Sequence, residues 1–155
     1  MSFVFEHYKG QSLLALYDAI GCLAEHLGDA LKQPAVHEVL MPLLTKKWTQ
    51  VQDSDKSLCP LFECFEAVTI ALGPGIEPYA KGIFDRCIAI VRSTYYQLKE
   101  SDENSFVEKE FLIRAVDLLS ALFNALGAKS EQLTVGSELI MLIIELIRQE
   151  DLLIK

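Results

Sequence analysis

A pattern of 13 residues occurs three times in the chain, and this repetition constrains the fold more than any other feature of the sequence. The copies are LYDAIGCLAEHLG at 16–28, LFECFEAVTIALG at 61–73 and AVDLLSALFNALG at 115–127. Each copy ends in Leu-Gly, and the final glycines are separated by 45 and 54 residues. A period of about 40–47 residues is typical of HEAT and armadillo helical hairpins, and the second interval leaves room for a longer loop. We therefore interpret the copies as the second helices of successive hairpins.

Four positions are apolar in every copy, at spacings of four, three and four residues. They are Leu16, Ile20, Leu23 and Leu27 in the first copy, Leu61, Phe65, Val68 and Leu72 in the second, and Ala115, Leu119, Leu122 and Leu126 in the third. This spacing places the four side chains on one face of an α-helix. The sequence therefore predicts that this stripe is buried in all three copies.

The remaining segments supply the partner helices of the hairpins. Second helices are predicted at about 13–27, capped by Ser12, and at about 60–72 and 109–126. First helices are predicted at about 34–52, 78–98 and 137–152, and the acidic segment 99–107 is predicted to be a mobile loop. The fold class is therefore all-α. We expect residues 1–155 to form an α-solenoid of HEAT-type hairpins, with about three repeats and half-repeats at both ends.

The ends of this predicted solenoid are apolar. The last predicted helix contains LIMLII at 139–144 and has no partner helix after it. Each hairpin of a solenoid buries its apolar face against its neighbours, so an exposed end needs a cover. We expect the chain to be a piece of a longer solenoid or to have its ends covered by another molecule, and self-association is one way to provide that cover.

Composition and charge limit the classes of partner. Apolar residues make up 51% of the chain, which argues against disorder, and the net charge is −8. A negative protein disfavours nucleic acid and anionic membranes and suits a positively charged partner. No apolar run approaches the roughly 18 residues of a membrane span, and the N-terminus lacks the pattern of a signal peptide. We expect an intracellular protein that binds neither nucleic acid nor membranes.

Residues that carry chemistry are sparse. The four cysteines show no CxxC spacing and are expected to be buried and reduced, and the three histidines show no metal-binding pairing. A glycine-rich phosphate loop is also absent from the sequence. We expect no metal, no cofactor and no enzymatic activity. Trp48 has two interpretations, a stacking platform for a bound peptide or a core residue, and the sequence favours the core.

A second face of the repeated helix is polar and acidic and lacks Lys and Arg. It consists of Asp18, Gly21 and Glu25, then Glu63, Glu66 and Ile70, then Asp117, Ser120 and Asn124. Helices of successive repeats pack roughly 8–10 Å apart, which matches about three residues of extended peptide. Stacked acids would thus form a row able to bind a basic, disordered peptide, although a solvated helix face is the alternative interpretation.

Four blocks of the sequence resemble the middle of the karyopherin-beta-2 (transportin) family of importin-beta-type nuclear import receptors. The blocks are YDAIGCLAEHLG at 17–28, VLMPLLTKKW at 39–48, SDKSLCPLFECFEAV at 54–68 and AVDLLSALFNALG at 115–127. The likeness runs in order over most of residues 10–133 and includes the acidic loop. It fades before Glu138 and is absent from residues 150–155.

This resemblance implies a function and a site. The family carries proteins with basic, extended nuclear localisation signals of the proline-tyrosine type, bound on the concave surface of the second helices, between cytoplasm and nucleus. The implied cargo-binding residues are Asp18, Cys22, Glu25, Glu63, Glu66 and Asp117, and the same face of the third copy adds Ser120 and Asn124. The GTPase Ran binds mostly to the family's first repeats, so Ran is expected as a partner of the full-length receptor only. A HEAT-repeat scaffold for protein assembly unrelated to nuclear transport is the alternative.

Overall fold

A computed structural model describes residues 10–100 and 106–148, apart from the side chains of residues 98 and 106–108. The described backbone is helical, with short turns and no strand. The helices are α1 (Gln11–His26), α2 (Gly28–Leu31), α3 (Pro34–Gln50), α4 (Leu58–Leu72), α5 (Glu77–Glu100), α6 (Phe106–Leu126), α7 (Glu131–Thr134) and α8 (Leu139–Arg148), with 3₁₀ turns at Gly73–Ile76 and Gly127–Ser130. The chain divides into two compact units, Met1–Ile76 and Glu77–Lys155.

Helices α3 and α4 of the first unit form an antiparallel hairpin. The Trp48 ring, near the end of α3, lies 4.7 Å from the ring centroid of Phe65 and 5.1 Å from that of Phe62, near the start of α4. At the other end of the pair, Pro34 at the start of α3 and Leu72 at the end of α4 line one small depression. Trp48 is therefore a core residue, as the sequence favoured, and its burial holds the hairpin together.

Helix α1 packs alongside α4 in the same unit. A Cβ atom added to Gly21 would lie 4.0 Å from the Cβ of Ala67, and one added to Gly28 would lie 3.4 Å from the Cβ of Ala71. Gly21 lies within α1 and Gly28 lies just beyond its end, and their contacts follow the same order along α4, so α1 and α4 run in the same direction. The paired residues are about one repeat interval apart in the sequence, so the first two copies of the repeat lie side by side nearly in register.

The second unit repeats the hairpin with α5 and α6. The ring of Phe84, early in α5, meets that of Phe123, late in α6, at 6.1 Å and nearly edge to face. An ion pair between Lys129 and Glu77 joins the end of this hairpin to its start. Helix α8 then packs against α5, where Arg92 pairs with Glu138. The all-α fold of HEAT-type hairpins predicted from the sequence is confirmed.

The three repeated glycines serve two different purposes. Gly73 and Gly127 end their helices with φ angles of 54° and 55°, a left-handed conformation that glycine adopts without the strain of a Cβ atom. Gly28 has no such angle; it begins α2 and lies against Ala71. The same sequence position therefore provides a helix stop in two copies and a close helix–helix approach in the first.

Several predicted boundaries differ from the observed ones. Ser12 does not cap α1, because the helix already begins at Gln11 behind Gly10 and has no side-chain cap. Residues 99, 100, 106 and 107, predicted as loop, belong to α5 and α6, and residues 101–105 lie outside the described residues. Without Pro or Gly at these points, the helices extend beyond the predicted ends. Helix α3 ends at Gln50 and α8 begins at Leu139, and the predicted part of α8 beyond residue 148 is also outside the described range.

The prediction that the apolar stripe is buried in every copy is wrong for most of the first copy, in which Ile20 is buried but Leu16 is only half-buried. Val68 and Leu72 in α4, and Leu122 and Leu126 in α6, are buried. Leu23 and Leu27, at the same positions of α1, are 53% and 55% exposed. The difference follows from packing, since α4 and α6 each lie against a first helix of their own hairpin.

Two stretches, Leu58–Gln97 and Lys109–Thr134, are long and apolar enough by composition to cross a membrane. This differs from the sequence-based expectation that no stretch would qualify. Both stretches contain helices whose apolar faces lie in hairpin cores, for example at Leu61 and at Leu118, each fully buried. A core helix meets the same criteria of length and composition, so the finding is weak evidence for a membrane span.

Candidate functional site

A surface depression of about 460 Å³ lies between α1 and α4. Small residues line it on both sides: Gly21 and Ala24 from α1, Gly28 from the start of α2, and Ala67 and Ala71 from α4. Side chains of this size let the two backbones approach closely, as the Gly28–Ala71 contact shows. The close approach leaves the longer side chains on either side as walls of the depression.

Those walls carry four carboxylates. Asp18 and Glu25 come from α1, and Glu63 and Glu66 come from α4. Asp18 and Glu25 are seven residues apart on α1, and Glu63 and Glu66 are three residues apart on α4. Both spacings keep the two acids on one face of their helix. Asp18, Glu25 and Glu63 are exposed, whereas Glu66 is half-buried. The in-register packing of the first two copies thus brings their predicted acidic faces together.

Among the described residues that line this depression there is no Lys, Arg or His. Asp and Glu side chains carry negative charge at neutral pH, so four carboxylates with no cation among the described lining residues make the depression negative. At exposed sites such charges act through water and are screened over about 8 Å at physiological salt. The depression is therefore suited to attract a positively charged ligand in a salt-dependent manner.

Tyr17 is a site residue that the sequence did not single out. It lines the depression and is buried, and within the described residues its hydroxyl has no hydrogen-bond partner. Burial, together with the nearby Cys64 and Asp55, raises the pKa of the Tyr17 hydroxyl to about 12. The group stays neutral at physiological pH and can still donate and accept a hydrogen bond. Its position beside Asp18 was visible in the sequence, but its lack of a partner was not.

Cys22 also lines the depression and is exposed, in contrast to the prediction that the cysteines are buried. It projects from the side of α1 that carries Asp18 and Glu25, where no neighbouring helix covers it. The other three thiols are buried, as expected. Burial raises the pKa of Cys64 to about 12 and also raises that of Cys87, so both thiols stay protonated. Within the described residues, no group of three His, Cys, Asp or Glu side chains could hold a metal ion.

Apolar side chains complete the depression. Leu14 and Pro60 line it near the starts of α1 and α4, and Ile70 lies near the end of α4 with most of its surface exposed. A peptide bound here would meet negative charge on the walls and apolar contacts along the same groove. Five of the eight residues predicted to bind cargo therefore line one depression: Asp18, Cys22, Glu25, Glu63 and Glu66.

The other three predicted residues lie on α6, in the second unit. Ser120 and Asn124 are exposed and line a depression of about 250 Å³ whose other residues are apolar, among them Val116 and Phe123. Asp117 is half-buried and is not part of that lining. Alignment of Asp117 with Asp18 and Glu63 in one acidic row stays a prediction.

Antiparallel helical hairpins, with the first two repeated helices packed nearly in register, define a HEAT-type repeat protein. No protein-family model matches the chain. The chain is 40% identical to human transportin-1 over 144 residues and 41% identical to rice transportin-1 over 133 residues. It is 35% identical to importin subunit beta-2 of fission yeast over 141 residues.

These matches cover 90%, 85% and 89% of the chain but only 16%, 15% and 16% of the three relatives. The chain thus corresponds to one segment, about a sixth, of a much longer protein. The resemblance to a transportin segment that the sequence blocks indicated is confirmed.

Proposed function

We propose that the chain is a cargo-binding segment of a nuclear import receptor, and that it binds basic, extended nuclear localisation signals of the proline-tyrosine type on the acidic face of α1 and α4. The observation that carries this proposal is that Asp18, Glu25, Glu63 and Glu66 line one depression, in which the described lining residues include no cation. Similarity to proteins named transportin and importin supports the assignment to nuclear import receptors.

The geometry of the depression suits an extended peptide. The two walls belong to neighbouring helices roughly 8–10 Å apart, and an extended chain advances about 3.3 Å per residue. Lys or Arg side chains about three residues apart can therefore reach Asp18 on one wall and Glu63 on the other. The Tyr17 hydroxyl offers a neutral hydrogen-bond partner within the same lining.

A localisation signal that is disordered in solution loses conformational entropy when it docks, so its affinity depends on many contacts along a long groove. A segment one sixth as long as its relatives should bind more weakly than a full receptor.

Ran is expected as a partner of the full-length receptor only. A receptor of this kind is expected in both cytoplasm and nucleus, and the role assigned to the chain is binding rather than catalysis.

The alternative function is a HEAT-repeat scaffold that joins other proteins through apolar contacts. The half-exposed Leu23 and Leu27 of α1 favour it, because exposed apolar stripes commonly mark protein–protein contacts. In this alternative the acidic depression is an ordinary solvated surface and the four carboxylates have no ligand.

Fluorescence anisotropy with a labelled basic proline-tyrosine peptide separates the two functions. The receptor function predicts binding that weakens as salt is raised and that is lost when the Lys and Arg residues of the peptide are replaced by Gln. Each of Asp18→Asn and Glu63→Gln should weaken binding about two- to fivefold, the range for an exposed ion pair. Glu131→Gln, an exposed acid of the second unit, is the matched control and should leave binding unchanged. Binding indifferent to salt and to both site variants would favour the scaffold.

A further inference from the structure

Two helices of the chain leave an apolar stripe exposed. On α1 the stripe consists of Leu23 and Leu27, one turn apart and each more than half exposed. On α8 it consists of Ile140, Ile144 and Ile147, spaced four and three residues apart, of which Ile140 and Ile147 are 63% and 62% exposed. Both stripes have the regular spacing of a face that packs against another helix.

The repeat itself shows what covers the stripe of α1. Val68 and Leu72 are the equivalent residues of α4, and both are buried in a hairpin whose first helix, α3, lies antiparallel to α4. Trp48 of α3 contacts Phe65 on this same stripe. The third copy behaves alike, with its stripe buried in the hairpin formed with α5. The exposed face of α1 therefore has the shape that accepts an antiparallel first helix.

Helix α8 is a first helix that lacks a second helix within the described residues. By its place in the repeat it is equivalent to α3 and α5. Its buried residues, Leu139 and Leu142, lie on the side where α8 packs against α5. Ile140, Ile144 and Ile147 point away from that side, at 100° per residue. The stripe of α8 therefore has the character of a face that accepts a second helix.

We propose that α8 of one copy of the chain packs antiparallel on α1 of a second copy, with Ile140, Ile144 and Ile147 against Leu23 and Leu27. The contact would complete between two copies the hairpin that α3 and α4 form within one. The two faces are different surfaces, so the interaction is heterologous, and it extends head to tail unless the geometry closes. The occupant of each stripe is thus a second copy of this chain.

The charge of the chain makes this contact distinguishable from peptide binding. Each copy has a net charge of −8, so two copies repel at long range and added salt reduces that repulsion. The contact itself is apolar and does not depend on opposite charges. Self-association should therefore strengthen with salt, whereas binding of a basic peptide should weaken. The proposal does not depend on cargo binding and can fail separately.

Sedimentation velocity on the whole chain tests the proposal with two variants. Leu23→Glu/Leu27→Glu blocks the face on α1, and Ile140→Glu/Ile147→Glu blocks the face on α8. The wild-type chain should form oligomers whose size rises with concentration and with salt. Each variant alone should be monomeric, and an equimolar mixture should form a dimer, because each variant keeps the face that the other lacks.

Val135→Glu is the control, since Val135 is an exposed apolar residue outside both stripes and its variant should associate like the wild type. Circular dichroism and thermal unfolding verify that each variant stays folded, as expected for exposed positions. A wild-type chain that stays monomeric at high concentration and high salt would overturn the proposal. So would a mixture of the two variants that stays monomeric, or a variant that still associates alone.

Discussion

Gly28, at the start of α2 just beyond the end of α1, lies directly against Ala71 of α4: a Cβ atom on Gly28 would stand 3.4 Å from the Cβ of Ala71. This contact limits how closely the end of α1 approaches α4 and hence affects the width of the acidic depression between them. The relationship joins two copies of the repeat, because Gly28 ends the first copy and Ala71 lies two residues before the end of the second.

Enlarging Gly28 should push the helices apart. Gly28→Ala adds a methyl group at an ordinary contact distance and should change the free energy of unfolding by less than about 1 kcal/mol. Gly28→Val places a branched side chain against Ala71, whose Cα lies 3.6 Å from the Cβ position, and should cost about 1–3 kcal/mol. Urea unfolding provides the measurement. Gly82→Ala is the control, because Gly82 lies within α5 with no neighbouring atom near its Cβ position, and this variant should be neutral or stabilising.

Gly28→Val unfolding at the same urea concentration as the wild type would contradict this account of the contact. The same variant should weaken binding of a basic peptide, since a wider depression separates the carboxylates of its two walls. Gly82→Ala, in the second unit, should leave that binding unchanged.

The sequence predicted those parts of the fold that depend on periodicity within one helix. The repeated stripe predicted the burial of Val68, Leu72, Leu122 and Leu126, and the acidic face predicted that residues of α1 and α4 share one surface.

Features that depend on a neighbouring helix were not predictable in the same way. Leu23 and Leu27 have the same spacing as their buried equivalents and differ only in what packs against them. Cys22 looked apolar by pattern but faces the open side of α1. The unpaired hydroxyl of Tyr17 depends on which groups surround it in three dimensions, and periodicity carries no information about that.

Trp48 should be among the most costly residues to truncate. Its ring is packed against both Phe62 and Phe65 and joins α3 to α4. Trp48→Ala should destabilise the chain by about 3–5 kcal/mol, because it leaves a large cavity in the hairpin core. Trp48→Phe should cost less, and Tyr96→Ala, at an exposed ring, is the control for loss of an aromatic side chain. Chemical unfolding of Trp48→Ala at the wild-type midpoint would show that the ring is not a core residue.

Tyr17 gives the chain a dependence on alkaline pH. Its pKa rises from 10.0 to about 12 in the folded chain, so folding favours the protonated phenol. The resulting stabilisation is complete below pH 10, where the phenol is protonated in both states, and it is lost as pH rises from about 10 towards 12. Tyr17→Phe removes this loss. Cys64 titrates in both chains, so a comparison of the two chains isolates Tyr17.

The same variant tests whether the Tyr17 hydroxyl is unpaired. Removing a buried hydroxyl that has no partner should leave stability at pH 7 unchanged or raise it by up to about 1 kcal/mol. Thermal unfolding at pH 7 and at pH 11 gives both comparisons. A substantial loss of stability at pH 7 in Tyr17→Phe would mean that the hydroxyl has a partner, and an unchanged alkaline response would mean that its pKa is not raised.

The central claim is that a basic peptide occupies the depression between α1 and α4, and Cys22 reports on this directly. Cys22 lines the depression and is exposed, whereas the other three cysteines are buried. Iodoacetamide is neutral and is not repelled by the carboxylates, so it should alkylate Cys22 first in the folded chain.

The measurement is the rate of Cys22 alkylation, followed by mass spectrometry, as a basic proline-tyrosine peptide is added. The account predicts that the alkylation rate falls in proportion to the fraction of chain bound to the peptide. This protection of Cys22 should disappear at high salt, and a peptide with Gln in place of Lys and Arg should give no protection. An alkylation rate at Cys22 that stays constant while the peptide is fully bound would contradict it.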